Sequence, residues 1–286
     1  MTESNFTSRR LLAVLAHPDD EAFGIGGTLA LYAQQGVEVY LICATLGEAG
    51  SVSEEFLSNG QTISELRSQE LQCSAQALGL KQVIRLGYRD SGMAGSPDNQ
   101  HPQALIAQPI ENVVKKIANY MREIKPNVVL TFDPLGGYQH PDHIRIHEAT
   151  VQAFNLVRED CSSSASDLPA RLYFHVMPKG IMRTSIFFLR LSGKNPHKFG
   201  KNGDIDLAAI ADQDFPVHAR INYQEVADKQ ANAAACHASQ GGGRQPRGAQ
   251  ALFSRLFNRP VDRYMQAYPL PSPAQKVRKD LFEGLP

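Results

Sequence analysis

Two short blocks, His17-Pro18-Asp19-Asp20 and His140-Pro141-Asp142-His143, place imidazoles and carboxylates after apolar runs. Neutral imidazole nitrogen and carboxylate oxygen are the usual non-thiolate ligands of zinc, and a catalytic site keeps three of them with a fourth position open for water. His17, Asp20 and His143 supply such a set. Six ionisable residues, His17, Asp19, Asp20, His140, Asp142 and His143, crowded at two strand ends are costly to desolvate without a cation or a hydrogen-bond network. Hydrolysis also needs a base, because a metal lowers the pKa of bound water from about 15.7 to about 7 and the proton must still be accepted. Asp19 is the candidate, since successive residues at a helix start point in different directions and Asp20 is the one spent on the metal. His140 is the candidate acid toward a leaving nitrogen, or a stabiliser of an oxyanion. A carboxylate of Asp142 bonded to His140 is expected to raise that histidine's pKa and keep it charged, with a simple helix cap as the alternative.

These blocks need elements that bring them together. Short β-rich runs at 11–16, 37–44, 83–87 and 128–132 alternate with helix-like segments at 21–35, 61–78, 104–124 and 143–158. That alternation predicts an α/β fold, a mostly parallel sheet with helices on both faces. In a doubly wound sheet, strands one and four are neighbours where the winding reverses, and ligands bind outside their carboxyl ends. His17 and His143 are predicted to meet there. Beyond residue 160 a strand is expected at 171–177 and a helix at 223–238, stopped by Gly241-Gly242-Gly243. Residues 161–166 read as a surface loop and 179–216 as a variable, partly irregular segment. The chain is expected to be one domain over 1–286, with a core at 1–160 and a C-terminal part at 161–286 shaping the pocket.

Composition narrows the partners. Twenty-nine basic residues balance 29 acidic ones, which argues against nucleic acid and anionic membranes and for a small, modestly polar substrate. Cys43, Cys73, Cys161 and Cys236 are far apart and form no Cys-x-x-Cys pair, so reduced thiols and a cytoplasmic location are expected. The first apolar stretch is interrupted by His17, Asp19, Asp20 and Glu21, against a signal peptide or a membrane span. Oligomeric state is left open, a homo-oligomer included. Gly24, Gly26 and Gly27 invite a dinucleotide reading, but Asp19, Asp20 and Glu21 occupy the turn where they would repel pyrophosphate. Those glycines are expected to let the first helix pack closely on the sheet. Two histidines and a carboxylate also describe the non-haem iron triad, which needs neither Asp19 nor His140. A non-catalytic metal protein is the third class; it predicts a closed coordination shell.

Ala16-His17-Pro18-Asp19-Asp20-Glu21 together with Gly136-Gly137-Tyr138-Gln139-His140-Pro141-Asp142-His143 resembles the LmbE-like, or PIG-L, family of zinc-dependent deacetylases. The resemblance extends through Glu65-Leu66-Arg67, Gly87-Tyr88-Arg89-Asp90-Ser91-Gly92 and Cys236-His237-Ala238-Ser239-Gln240. It is closest to the branch with the glucosaminyl deacetylase and the S-conjugate amidase of bacterial thiol metabolism. It implies a Rossmann-like sheet and hydrolysis of an N-acyl amino sugar or related amide, often acetyl on glucosamine. It implies Zn2+, or Fe2+ in its place, on His17, Asp20 and His143, with Asp19 as base and His140 as acid or electrostatic partner. Tyr138 would donate to the oxyanion, and Arg67, Asp90 and His237 would contact the sugar. Gln139 stands where the family pattern has glycine.

Overall fold

The computed structural model describes residues 9–160, 164, 167–177, 179–193, 195–197, 207–212, 214–243 and 260–285. Its strands are β1 (Arg10–Leu15), β2 (Glu38–Cys43), β3 (Gln82–Arg85), β4 (Val128–Phe132), β5 (Arg171–His175), β6 (Ala219–Asn222) and β7 (Val261–Tyr268). They form a seven-stranded sheet in the order β3-β2-β1-β4-β5-β7-β6. The first five are parallel, and β7 runs antiparallel to both β5 and β6. Leu11 to Leu15 and all of β4 are buried, as a strand covered on both faces requires.

The helices are α1 (Asp20–Phe23), α2 (Gly26–Gln34), α3 (Ile63–Leu78), α4 (Ile110–Ile124), α5 (Gly136–Gln139), α6 (Pro141–Arg158), α7 (Lys179–Leu191), α8 (Leu207–Asp212) and α9 (Ala227–Cys236). α2, α3 and α9 pack together, as do α4 and α6. Right-handed crossovers put these groups on opposite faces, because the winding reverses between β3 and β4. α3 starts at a capping box in which the Thr62 hydroxyl and the Glu65 carboxylate each accept the other's backbone N–H. α6 starts with Pro141 in its first turn, where a missing N–H leaves no partner unsatisfied.

Several sequence expectations change. The segment 21–35 is two helices, broken at Gly24 and Ile25. Helix 104–124 begins only after Pro109, whose ring disfavours helix in the residue before it. The described part of 179–216 includes α7 and α8, two helices that the absence of clean periodicity did not mark. Residues 161–163, 165 and 166, and most of the loop after Gly241, lie outside the described residues. β7 was not predicted because its alternation is inverted: Asp262, Tyr264 and Gln266 point inward while Val261 and Met265 are half-buried. Asp262 tolerates that position because it accepts the Thr28 N–H at 2.9 Å and the Thr28 hydroxyl at 2.6 Å. Of the three glycines only Gly24 faces a strand residue, His175, while Gly26 and Gly27 face Gln230 and Tyr223. A Cβ on Gly27 would lie 2.1 Å from the Tyr223 ring, so the close approach is between α2 and Tyr223.

Cys73 and Cys236 form a disulfide, correcting the expectation of reduced thiols for this pair. Packing of α3 on α9 brings their Cα atoms to 5.7 Å across 163 residues of sequence, a proximity that spacing cannot reveal. Cys43 is free and buried, and Cys161 lies outside the described residues. Among the described residues no helix is long and apolar enough to cross a membrane.

Leu12 is fully buried in the central strand, so Leu12→Ala should cost about 2–5 kcal/mol of stability, read from the denaturant midpoint.

Candidate metal centre and catalytic site

β1 and β4 are neighbours, Leu11 opposite Val128, so both histidine blocks leave the same edge of the sheet. His17 Nδ1 and His143 Nε2 lie 3.1 Å apart; Asp20 Oδ2 is 3.6 Å from the first and Asp20 Oδ1 3.3 Å from the second. Four-coordinate zinc with bonds of about 2.0–2.1 Å spaces its ligand atoms about 3.3 Å apart. The three side chains converge at spacings of that kind, with the two Asp20 distances measured to different oxygens, and His17, His140 and His143, or His17, Asp90 and Asp142, also bring three ligand atoms within 4.8 Å of one another. The outward nitrogens fit as well. His17 Nε2 faces Asp142 Oδ2 at 3.2 Å and Asp90 Oδ1 at 3.4 Å, and His143 Nδ1 donates to the Gly136 carbonyl at 3.1 Å. Metal-binding histidines commonly donate their second N–H to a carboxylate or carbonyl, which turns the other nitrogen's lone pair inward. Two inward lone pairs 3.1 Å apart repel unless a cation or a proton lies between them.

The field agrees with the geometry. Burial opposes charge on His17, yet Asp90, Asp142 and Asp20 outweigh it and hold the imidazole well above its ordinary pKa. Burial likewise opposes charge on Asp20 and Asp90, but His143 and His17 hold the former, and His17 the latter, well below the usual carboxylate range. Asp142 is fully buried; its Oδ2 also accepts the Ser91 N–H at 2.9 Å, while Oδ1 has no hydrogen-bond partner. The centre therefore favours positive charge.

Asp142 does not serve His140 as expected. Its carboxylate faces His17, and only its backbone N–H reaches His140, whose Nδ1 accepts it at 3.2 Å as the helix cap of α6. That bond leaves the Nε2–H of a neutral ring as donor. Burial and the neighbours His17 and His143 push His140 down to about 2, so it is neutral rather than charged.

Asp19 begins α1 at φ 116°, a backbone region that disfavours residues with a Cβ. Arg67 Nη2 donates to its Oδ2 at 2.9 Å and also to the Pro18 carbonyl, while Nη1 reaches the Gly47 carbonyl at 3.2 Å. Arg67 is thus turned on the Asp19 carboxylate and its neighbouring backbone. Burial pushes Asp19 up to about 7, against the pull of Arg67. Gly47, at φ 69°, leaves room for the guanidinium, since a Cβ there would fall 1.8 Å from Arg67 Nη1 and displace it. Tyr138 is carried by a tight turn in which Asp133 Oδ1 accepts the N–H groups of Leu135 and Gly137. Its phenol is held neutral by burial and by Asp20 and Asp19. Gln139, in the family's glycine position, adopts φ 68°, the left-handed region that glycine enters most easily.

Two cavities meet here, and Asp19 and Tyr138 line both. One, about 620 Å³, is walled by His17, Arg67, Asp90, His140 and Gln240. The other, about 910 Å³, begins at Asp20 and His143 and runs along Phe132, Met177, Phe215 and Tyr223 to Arg263. An open cavity on each side does not match the closed shell of a purely structural metal site.

The PIG-L family model, described as GlcNAc-PI de-N-acetylase, matches residues 12–154. A 1D-myo-inositol 2-acetamido-2-deoxy-alpha-D-glucopyranoside deacetylase of Acidothermus cellulolyticus is 34% identical over 241 residues, covering 81% of this chain and 80% of the relative. The chain belongs to the PIG-L family. A Thermobifida fusca protein of the same name is 33% identical, with 81% of this chain and 83% of the relative covered. The solved structure of the 4-carboxy-2-hydroxymuconate hydratase GalB of Pseudomonas putida KT2440 shares the fold, with a TM-score of 0.58 at 17% identity over 92% of this chain and 98% of that one.

Within this PIG-L protein His237 is not where a sugar contact would be. It is wholly buried, walls neither cavity, and bonds Glu21 Oε1 through Nε2 at 2.6 Å. Glu21 was not singled out in the sequence, although it completes the acidic run after His17. Its Oε2 accepts the Asp19 N–H at 3.0 Å. His175 and Arg263, on the larger cavity, carried no motif to mark them.

Replacing Asp142 with alanine removes the carboxylate behind His17 and should weaken divalent-ion binding by about 10–100-fold, measured by chelator competition.

Proposed function

We propose that this protein is a metal-dependent hydrolase that removes the acetyl group from an N-acetylglucosamine-type substrate, with His17, Asp20 and His143 holding Zn2+, or Fe2+ in its place. The observation that carries the reading is the convergence of His17, Asp20 and His143 with the half-buried carboxyl of Asp19 beside them. Bound there, a divalent ion supplies Lewis acidity toward an amide carbonyl and toward water.

The protein's own groups do the rest. Asp19, poised near neutrality, accepts the proton of the attacking water and returns it to the leaving nitrogen. Arg67 keeps its carboxylate aimed. Tyr138, a neutral phenol, donates to the carbonyl oxygen as negative charge develops on it. His140 adds a second donor through Nε2–H, and the proton delivery expected of it passes to Asp19. Asp90 and Arg67, on the wall of the smaller cavity, offer directional bonds to sugar hydroxyls. Acetate and the free amino sugar are the products. The deacetylase names of the relatives support the same reading.

A second reading, an amidase for larger acyl groups such as those of thiol conjugates, is favoured by the larger cavity. An acetyl methyl needs little of its 910 Å³. Relative kcat/KM for N-acetyl, N-butanoyl and N-hexanoyl glucosaminides decides between them: a fall with length supports the deacetylase, a rise the amidase.

Asp19→Ala should retain the ion, by elemental analysis, while kcat drops on the order of 10²–10⁴-fold, the usual worth of a positioned acid or base. Full activity in that variant would remove Asp19 from the mechanism. Arg67→Met should move the acid limb of the kcat/KM profile to higher pH. The active base is the ionised carboxylate, and the lost guanidinium is what held its pKa down.

A further inference from the structure

Glu21 is wholly buried and walls neither cavity, yet three segments converge on its carboxylate. Oε2 accepts the Asp19 N–H at 3.0 Å. Oε1 accepts the Ser74 hydroxyl at 2.5 Å and lies 2.6 Å from His237 Nε2. Ser74 and His237 each follow, by one residue, a cysteine of the Cys73–Cys236 bridge. Cys73 is exposed and Cys236 half-buried, so the bridge sits at the surface just outside the buried trio.

We propose that Glu21, Ser74 and His237 form a positioning clamp for Asp19, fastened by the Cys73–Cys236 disulfide, so that reducing the bridge lowers turnover. The proposal rests on Asp19 being the catalytic base. A residue with a Cβ stays at φ 116° only where its surroundings hold it. Arg67 grips the Asp19 carboxylate from one side, and Glu21 fixes its N–H from the other. Glu21 has no grip of its own on the protein surface; it is held by one donor from α3 and one from the residue after α9. The bridge keeps those two donors at a fixed spacing. Glu70 of α3 separately accepts the N–H and hydroxyl of Ser239, each at 2.8 Å. Opening the bridge therefore loosens the clamp without releasing the segment.

A phosphine is a sufficient reductant. The S–S bond breaks, phosphorus supplies two electrons, and one water supplies the two thiol protons and the oxygen of the phosphine oxide. The partner experiment needs no reductant: the double variant Cys73→Ser, Cys236→Ser lacks the fastener from the start.

Metal-replete wild type and double variant are compared on an N-acetylglucosaminide with and without tris(2-carboxyethyl)phosphine, with metal content measured in each sample. In the double variant kcat should fall on the order of 10–10²-fold, the scale of a misplaced catalytic group, with KM changed less than about twofold and metal unchanged. The phosphine should lower wild-type kcat in the same way and leave the variant unaffected. His237→Ala should lose kcat too, whereas His237→Gln, which keeps a donor near Nε2, should recover most of it. Unchanged kcat, loss of metal in step with kcat, or equal phosphine effects on both proteins would each overturn the proposal.

A second readout needs no turnover. Amide hydrogen exchange at Asp19 should quicken when the bridge is opened, and unchanged protection there overturns the clamp. A protein inactive on every N-acetyl sugar but showing this change would sink the deacetylase reading and leave the clamp standing.

Discussion

Parallel pairing of β1 with β4 is the constraint from which the site follows. It sets two short chain segments, more than a hundred residues apart, at the carboxyl ends of adjacent strands, and it buries His17, His140, Asp142 and His143. Burying Asp20, Asp90 and Asp142 around His17 is unfavourable unless positive charge sits among them. The same desolvation that makes the cluster expensive makes it a receptor for a cation. Asp142, with one oxygen unpartnered in the interior, shows how far the balance leans toward negative charge.

The environment of Asp19 suits the role of base proposed for it. A base must be ionisable near neutrality and must also be aimed. Burial provides the first, and Arg67 limits how far it goes. Aim comes from contacts at both ends of the residue, Arg67 on the carboxylate and Glu21 on the N–H. Those contacts reach further into the fold: Gly47 makes room for the guanidinium, and Ser74 and His237 anchor Glu21. The contacts that hold Asp19 thus extend into α3 and to the residue after α9, at points that wall neither cavity.

The added strands shape access. Arg263 and Asp262 of β7 and His175 at the end of β5 border the larger cavity, so the antiparallel edge of the sheet builds a wall as well as completing the sheet. Asp19 and Tyr138 line both cavities, so a molecule held beside them can extend in both directions.

Much of this was legible in the residues. The strands through β5 and the meeting of the two blocks follow from apolar runs and from local motifs, because parallel βα units have strong periodicity and a fixed hand. β7 escaped because its inward positions are Asp262, Tyr264 and Gln266, polar groups satisfied by partners distant in the chain. The partners of Asp142, Arg67 and His237, and the pairing of Cys73 with Cys236, were decided only by tertiary structure. Sequence names a side chain's chemistry, but a hydrogen bond or a disulfide depends on distances of a few ångströms between segments, and those exist only once the helices have packed.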